Sequence, residues 1–442
     1  MDAEETQVSV KFVTQLPEQY RVPPDVLNVP AKVTRLGLSQ VVNSLLGLDP
    51  TQAFDFLIAG ELLRQPLEKF LLAHSVSTES VLSVEYFKAV VPPRLKKQLP
   101  HDDWVSALAC SSTNTVLTGS YDGILRLWNS SGQLSSSTQA HSKGINAVAI
   151  LPTAQGPLAL SAAKDHTVRL WSAPAMQASP MEAQQAATAT CLAVYKGHTD
   201  AVEDVAASPS GTTFCSGAWD GNVHIWRTGR EVVTAAEEAA MAPATAGKAV
   251  SKKRKLESSA DAGSAMAEGP LQEAPKGQLQ GHSQCVSGVV WPDQDSIYSG
   301  SWDHSVRRWD AQTLVNTDTH NSNKAIYCIA AAAGSASVAF GGADRAWRLW
   351  DRRQNRKEDM GVKTFSSHSD WITSIALSEH SEYHVLTSSH DKTAKLWDTR
   401  TAIPLHTLEG HTDKVLCSGW CGDKRIATGG ADCKLLLFDV PT

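Results

Sequence analysis

No apolar run approaches the 18 residues that a membrane-spanning helix needs, so no span is expected in this 442-residue chain. The opening residues, MDAEETQ, are acidic and lack the basic-then-apolar order of a secretory signal. The eight cysteines contain no Cys-x-x-Cys; Cys417 and Cys421 are the closest pair, and the rest are scattered through strand-like runs. They are expected to be reduced core residues of an intracellular protein, not disulfide partners or zinc ligands. A Gly-rich phosphate loop is missing, as is any metal-ligand spacing, so no cofactor is expected. An excess of basic charge is missing too: 40 Lys and Arg against 46 Asp and Glu leave a net charge of −6, and no global basic field draws the chain to nucleic acid. What is present is the composition of a folded protein, 42% apolar and 19% charged, on a length that suits two or three domains or one large repeat array.

Residues 6–91 form an N-terminal module without repeats. Val8, Val10 and Phe12 alternate as in a strand, and residues 20–29, with their prolines, suit an edge strand. A helix follows, with Thr34 as N-cap, Leu38, Val41, Val42, Leu45 and Leu46 on one face, and Gly47 at its end. Phe54, Phe56 and Ile58 alternate up to a turn at Gly60, and Leu82, Val84 and Tyr86 mark a last strand. The order β-β-α-β-β-β is that of a small α+β ubiquitin-like roll.

From residue 101 the chain repeats itself. The stretch 197–226, GHTDAVEDVAASPSGTTFCSGAWDGNVHIW, shows the unit: short alternating segments separated by turn residues. Seven copies align on a turn Asp: Asp122, Asp165, Asp220, Asp303, Asp344, Asp391 and Asp432. Six residues on stand Trp128, Trp171, Trp226, Trp309, Trp350, Trp397 and finally Phe438. Four residues before the Asp stand Thr118, Ser161, Ser216, Ser299, Phe340, Thr387 and Thr428. His101, His141, His198, His282, His368 and His411 lie 21 to 24 residues upstream of their Asp. This pattern resembles the WD-repeat family and implies a mainly β fold, a seven-bladed β-propeller. Trp N–H would donate to the Ser or Thr hydroxyl, the hydroxyl to His, and His to Asp. A catalytic constellation occurs once, whereas this one recurs with its own Trp, so the tetrads read as structural and not as hydrolase triads. Repeat five departs, with Ser322 at the His position and Phe340 in place of a hydroxyl; repeat seven has Phe438 where Trp would donate. These two blades are expected to be the least rigid.

Residues 95–103 align with 405–413, so 92–100 should serve as a stiff Pro-Pro linker and the closing outer strand of the last blade, with 101–442 forming the propeller. The pattern stops at 227–278, a segment rich in Ala, Ser, Gly and Glu that reads as a disordered insertion. Its run Lys252, Lys253, Arg254 and Lys255 suits a nuclear import receptor. On the face where the Asp turns and His loops converge, Trp104, Tyr121, Trp219, Trp302, Trp371, His390 and Lys414 are expected at a partner-binding rim. The clusters Arg352, Arg353, Arg356, Lys357 and Arg94, Lys96, Lys97 have no interleaved aromatics, and direct RNA contact is left open.

Residues 54–64 (FDFLIAGELLR) and 77–93 (STESVLSVEYFKAVVPP) resemble the NLE ubiquitin-like domain that precedes WD repeats in large-subunit ribosome biogenesis factors. Seven repeats, the basic insertion after the third and the close spacing of roll and repeats make the whole chain similar to the WD repeat-containing protein 12 family. That resemblance implies a non-enzymatic assembly factor for the large ribosomal subunit, acting in ribosomal RNA processing and pre-60S maturation in the nucleus, nucleolus and nucleoplasm. It implies a complex with Pescadillo and its block-of-proliferation partner, and removal from the precursor particle by the AAA ATPase midasin. By the same resemblance Glu79 would offer its carboxylate in trans to the Mg²⁺ of midasin. A rival reading is a cullin-type ligase receptor, because WDRR at 350–353 and WDTR at 397–400 match the Trp-Asp-x-Arg pattern of such receptors.

Overall fold

The computed structural model describes residues 6–74, 81–111, 114–153, 158–172, 189–228, 271–334, 337–351, 361–422 and 424–440. In the N-terminal module, β1 (Gln7–Val13) turns Val8, Val10 and Phe12 inward and pairs with β2 (Val26–Pro30) on one side. Helix α1 (Arg35–Leu46) crosses the sheet. Thr34 caps its first turn, accepting from the Gly37 N–H at 3.4 Å, and Gly47 ends it at φ +61°. Then come β3 (Phe54–Ile58), the two-residue β4 (Glu61–Leu62), helix α2 (Leu67–Ala73) and β5 (Leu82–Lys88). The sheet order is β2-β1-β5-β3-β4, with β5 parallel to β1 and every other pair antiparallel, as a ubiquitin-like roll requires.

Two details differ from the sequence reading. Leu45 is exposed, because α1 meets the sheet along the Leu38–Val42 line and Leu45 lies beyond its edge. The helix α2 was not anticipated; its seven residues are too few to show a period, yet Leu67, Phe70 and Leu71 enter the core.

Beyond the roll, seven sheets follow, antiparallel but for one added edge strand in the second, with their main strands spanning 105–139, 145–196, 202–279, 286–321, 326–366, 372–408 and 415–439. Each has four strands in chain order from its innermost strand outward, except that the second gains a fifth and the seventh takes its outermost strand from upstream. That strand is β6 (Arg94–Pro100), which pairs antiparallel with Lys434–Asp439. Innermost strands pack against one another in succession, and Val415–Trp420 of the seventh sheet lies against Val105–Cys110 of the first. Close approach has a residue-level cause. A Cβ on Gly217 would come within 2.7 Å of Val286 in the next sheet, and one on Gly429 within 2.6 Å of Val105. At the residue after the turn Asp, Gly123 and Gly221 have φ +77° and +76°, and His166, His304, Lys392 and Cys433 hold the same left-handed conformation.

Part of the expected insertion is built into the sheets. Leu271–Glu273 runs parallel to Thr190–Lys196 as the extra strand of the second sheet, and Gly277–Leu279 is the outer strand of the third. Three-residue strands leave no readable alternation; here buried Leu279 anchors one. The cysteines also need correction. Cys110 and Cys421 form a disulfide with Cα atoms 5.1 Å apart, joining first and seventh sheets across 311 residues, while the six others are free. Only the packing of first against last sheet brings those two together.

Candidate functional site

The tetrads are assembled where a His loop from one sheet reaches the second and third strands of the next. In the third sheet Trp226 Nε1 donates to Ser216 Oγ at 2.8 Å, His198 Nε2 lies 2.8 Å from the same oxygen, and Nδ1 lies 2.9 Å from Asp220. The same arrangement joins His141, Ser161, Asp165 and Trp171; His282, Ser299, Asp303 and Trp309; and His368, Thr387, Asp391 and Trp397, with every His contact at 2.7–3.1 Å. A carboxylate only accepts, so Nδ1 carries the proton and Nε2 receives the hydroxyl's. Burial alone would raise the Asp220 carboxyl, but the hydrogen bond from His198, with those from the Asn222 and Thr199 backbone N–H groups, holds it at about 2. Asp165, Asp303 and Asp391 are likewise held below the usual carboxylate range by their His partners against the pull of burial.

Ser216 has no exposed surface, and Trp226 occupies its oxygen from the other side. No substrate atom can reach it, so the His–Ser–Asp geometry serves packing, not acyl transfer. Among the described residues, His198, Asp220 and His224 also bring three potential ligand atoms within 4.8 Å. However, the His198 and His224 rings stack at 3.9 Å and 10°, so their in-plane lone pairs run side by side and do not converge on an ion.

Three repeats deviate. In the first, Trp128 and His101 still meet Thr118 at 3.1 and 3.0 Å, but His101 Nδ1 faces the Leu99 carbonyl at 3.4 Å and not Asp122. Arg126 has taken that carboxylate, bonding Asp122 at 2.8 Å and Asp102 at 2.5 Å. Burial and then the Arg126 charge lower His101 to about 4. In the fifth, Ser322 occupies the His position, its N–H meeting the His304 carbonyl, and Asp344 pairs with Arg348 at 2.6 Å. In the seventh, His411 bridges Thr428 and Asp432 at 2.9 Å each, with buried Phe438 beside them in place of the Trp.

The expected rim residues fall into two groups. Trp104 and Tyr121 pack at 5.7 Å in the first sheet, with Lys164 of the second 3.8 Å over the Tyr121 ring. Trp219, Trp302, Tyr327, Trp371 and His390 form one string across the third to sixth sheets, with successive ring centroids 4.7, 5.8, 5.6 and 5.7 Å apart. Tyr327 was missed because it follows no Asp or His; its signal is its place second in an inner strand, beside the turns. Trp104, Trp219 and Trp371 are 42–45% exposed, Tyr121 and Trp302 half-buried, and Lys414 exposed in the seventh sheet outside both groups. Trp219 Nε1 donates to Glu203, which Asn146 of the second sheet also meets. Glu79, Lys252, Lys253, Arg254 and Lys255 lie outside the described residues, as do Arg352, Arg353, Arg356 and Lys357.

Known proteins place this geometry. Residues 8–71 match the NLE (NUC135) domain, and six segments, 94–129, 132–172, 189–227, 273–310, 361–398 and 402–439, match the WD domain, G-beta repeat. The fifth repeat, without its His and hydroxyl, falls between those segments. The chain is 46% identical to the "Ribosome biogenesis protein WDR12 homolog" of Chlamydomonas reinhardtii, covering 99% of this chain and 98% of that one. It is 39% identical to the Oryza sativa protein of the same name (98% and 96% covered) and 31% identical to "Ribosome biogenesis protein YTM1" of Eremothecium gossypii (98% and 98%). An NLE domain followed by WD repeats, matched along nearly its whole length, makes this chain a non-catalytic member of the WDR12/YTM1 family.

Proposed function

We propose that this chain works in ribosome biogenesis as an assembly factor for the large subunit, a scaffold whose seven sheets close into a seven-bladed propeller. Its domains would be the roll at 6–91, the linker and closing strand at 92–100 and the propeller at 101–442. The observation that carries the reading is the aromatic string from Trp219 to His390, which spans four consecutive sheets of a chain whose relatives are ribosome biogenesis proteins. Aromatic side chains supply large contact area at low entropic cost, which is what a partner-binding centre needs. The partners are Pescadillo and its block-of-proliferation companion, the place is the nucleus and nucleolus with Lys252–Lys255 as import signal, and midasin removes the protein through Glu79.

The test is co-purification of tagged variants. Trp219→Ala combined with Trp371→Ala should cut recovery of the Pescadillo complex at least tenfold, and Glu79→Ala should abolish midasin capture while leaving that complex intact. Unchanged recovery in both would overturn the assignment. Against the ligase reading, Arg400 of the Trp-Asp-x-Arg segment is turned inward, pairing in two-pronged fashion with Asp398 at 2.7 and 2.9 Å. An adaptor would have to displace that pairing.

A further inference from the structure

Arg400 does more than pair with Asp398. Its guanidinium lies 4.4 Å from the ring centroid of Phe87 in the roll and 4.2 Å from that of Tyr383 in the sixth sheet. Phe87 is on the wrong side of β5 to serve the roll's own core: Leu82, Val84 and Tyr86 point inward, and Phe87, next after Tyr86, points to the opposite face. An aromatic residue there makes sense only with something to cover it. Three residues on, the Val90 carbonyl receives His406 Nε2 at 2.9 Å from the sixth sheet's outer strand. The rest of the seam is loosely filled. A cavity of about 680 Å³ separates Arg64, Phe70 and His74 of the roll from Lys363, Arg400 and Ile403. Among the described residues the docking is carried by that guanidinium clasp, the His406 hydrogen bond and the attraction of Arg64 in the roll to Asp398, beside a tether shortened by Pro92 and Pro93.

We propose that Arg400 is the latch of a docking equilibrium between the roll and the sixth sheet, its guanidinium holding the roll in place through the ring of Phe87. Asp398, 1% exposed, holds the guanidinium plane in place so that both rings can stack on it. Removing the clasp leaves the tether, the His406 bond and the solvent-screened Arg64–Asp398 attraction, which do not fix the roll's orientation as a ring stacked on a guanidinium does. The latch concerns the chain's own seam and stands independently of which partners the rim takes.

The test compares full-length chains by small-angle X-ray scattering and amide hydrogen exchange. Arg400→Ala should broaden the interatomic distance distribution and raise exchange in the seam loops 89–91 and 399–405 about tenfold, with 84–88 still protected inside the roll's sheet. Arg400→Lys, which keeps the charge but not the planar stack, should fall between. Phe87→Leu separates undocking from damage to the sixth sheet, because it removes the ring from the roll side and leaves that sheet untouched. It should broaden the distribution while the sixth sheet's strands keep their protection. An unchanged distribution in both Arg400→Ala and Phe87→Leu overturns the latch. So does a loss of protection confined to the Arg400→Ala sheet with Phe87→Leu unaltered.

Discussion

The third and fifth sheets bury the same residue in the same register by different means. Trp226 and Trp350 both sit on the third strand, at 0% and 7% exposure. Trp226 is held by a polar relay through Ser216 and His198 to Asp220. Trp350 packs among rings: His320 stacks on it at 5.4 Å, and Phe340 meets His320 at 5.5 Å. The linkage to the next sheet differs too. Asp204 accepts the Val289 N–H at 2.8 Å, while Cys328, at the equivalent place, donates to the Ile372 carbonyl at 3.9 Å. The repeat therefore demands a filled core and a tight turn. The relay is one way to satisfy the buried Trp, and it can be replaced only as a set, since half a network strands a polar group.

The sharpest way to break this comparison is His198→Ala. It leaves Asp220 and Ser216 buried without their shared partner, so denaturant titration should show a loss of about 3–5 kcal/mol. A loss below 1 kcal/mol would mean that the relay is incidental and that the two sheets are alike. Next is Phe340→Ser, which restores the family's hydroxyl to the fifth sheet without its His. If the hydroxyl itself were stabilising, the change would help. It should instead cost about 3 kcal/mol, because a side chain 1% exposed is emptied and a hydroxyl goes unanswered.

The smallest effect separates the two inter-sheet links by pH. Burial raises Asp204 to about 7, against two backbone N–H bonds that lower it, and the nearby Glu203 charge adds to the rise. The folded chain thus keeps a proton that the unfolded chain has released above its ordinary value of 3.8. The stability tied to that proton is complete below about pH 4 and is lost as pH rises through 7. Between pH 5 and 8 the wild type should lose about 2 kcal/mol relative to Asp204→Asn, measured as the difference of two thermal or denaturant series. Cys328→Ser should show no such slope, because burial raises the thiol and keeps it protonated across that range.

What the sequence disclosed follows the same line. Features fixed by local spacing were legible: the Asp-to-Trp interval, the strand alternation, the Thr34 cap and the departures at Phe340 and Phe438. Features that depend on a neighbour's side chain were not. Nothing in the first repeat shows that Arg126 would take Asp122 from His101, because a basic residue four after the turn Asp also occurs at Arg169, beside an intact His141–Asp165 pair. Contacts between distant segments were invisible for a plainer reason. Cys110 and Cys421 meet only where the first and seventh sheets pack together, and Phe87 and Arg400 only where the roll lies against the sixth sheet.

The pairing of β6 with Lys434–Asp439 sets a schedule as well as a shape. Residue 94 leaves the ribosome exit tunnel well before its partner, residue 439, which is translated 345 residues later. Through that whole interval β6 has an open edge and no native strand to fill it, the kind of exposed edge that invites pairing with foreign chains. The strand that completes the seventh sheet is thus made some 340 residues before the strand it pairs with.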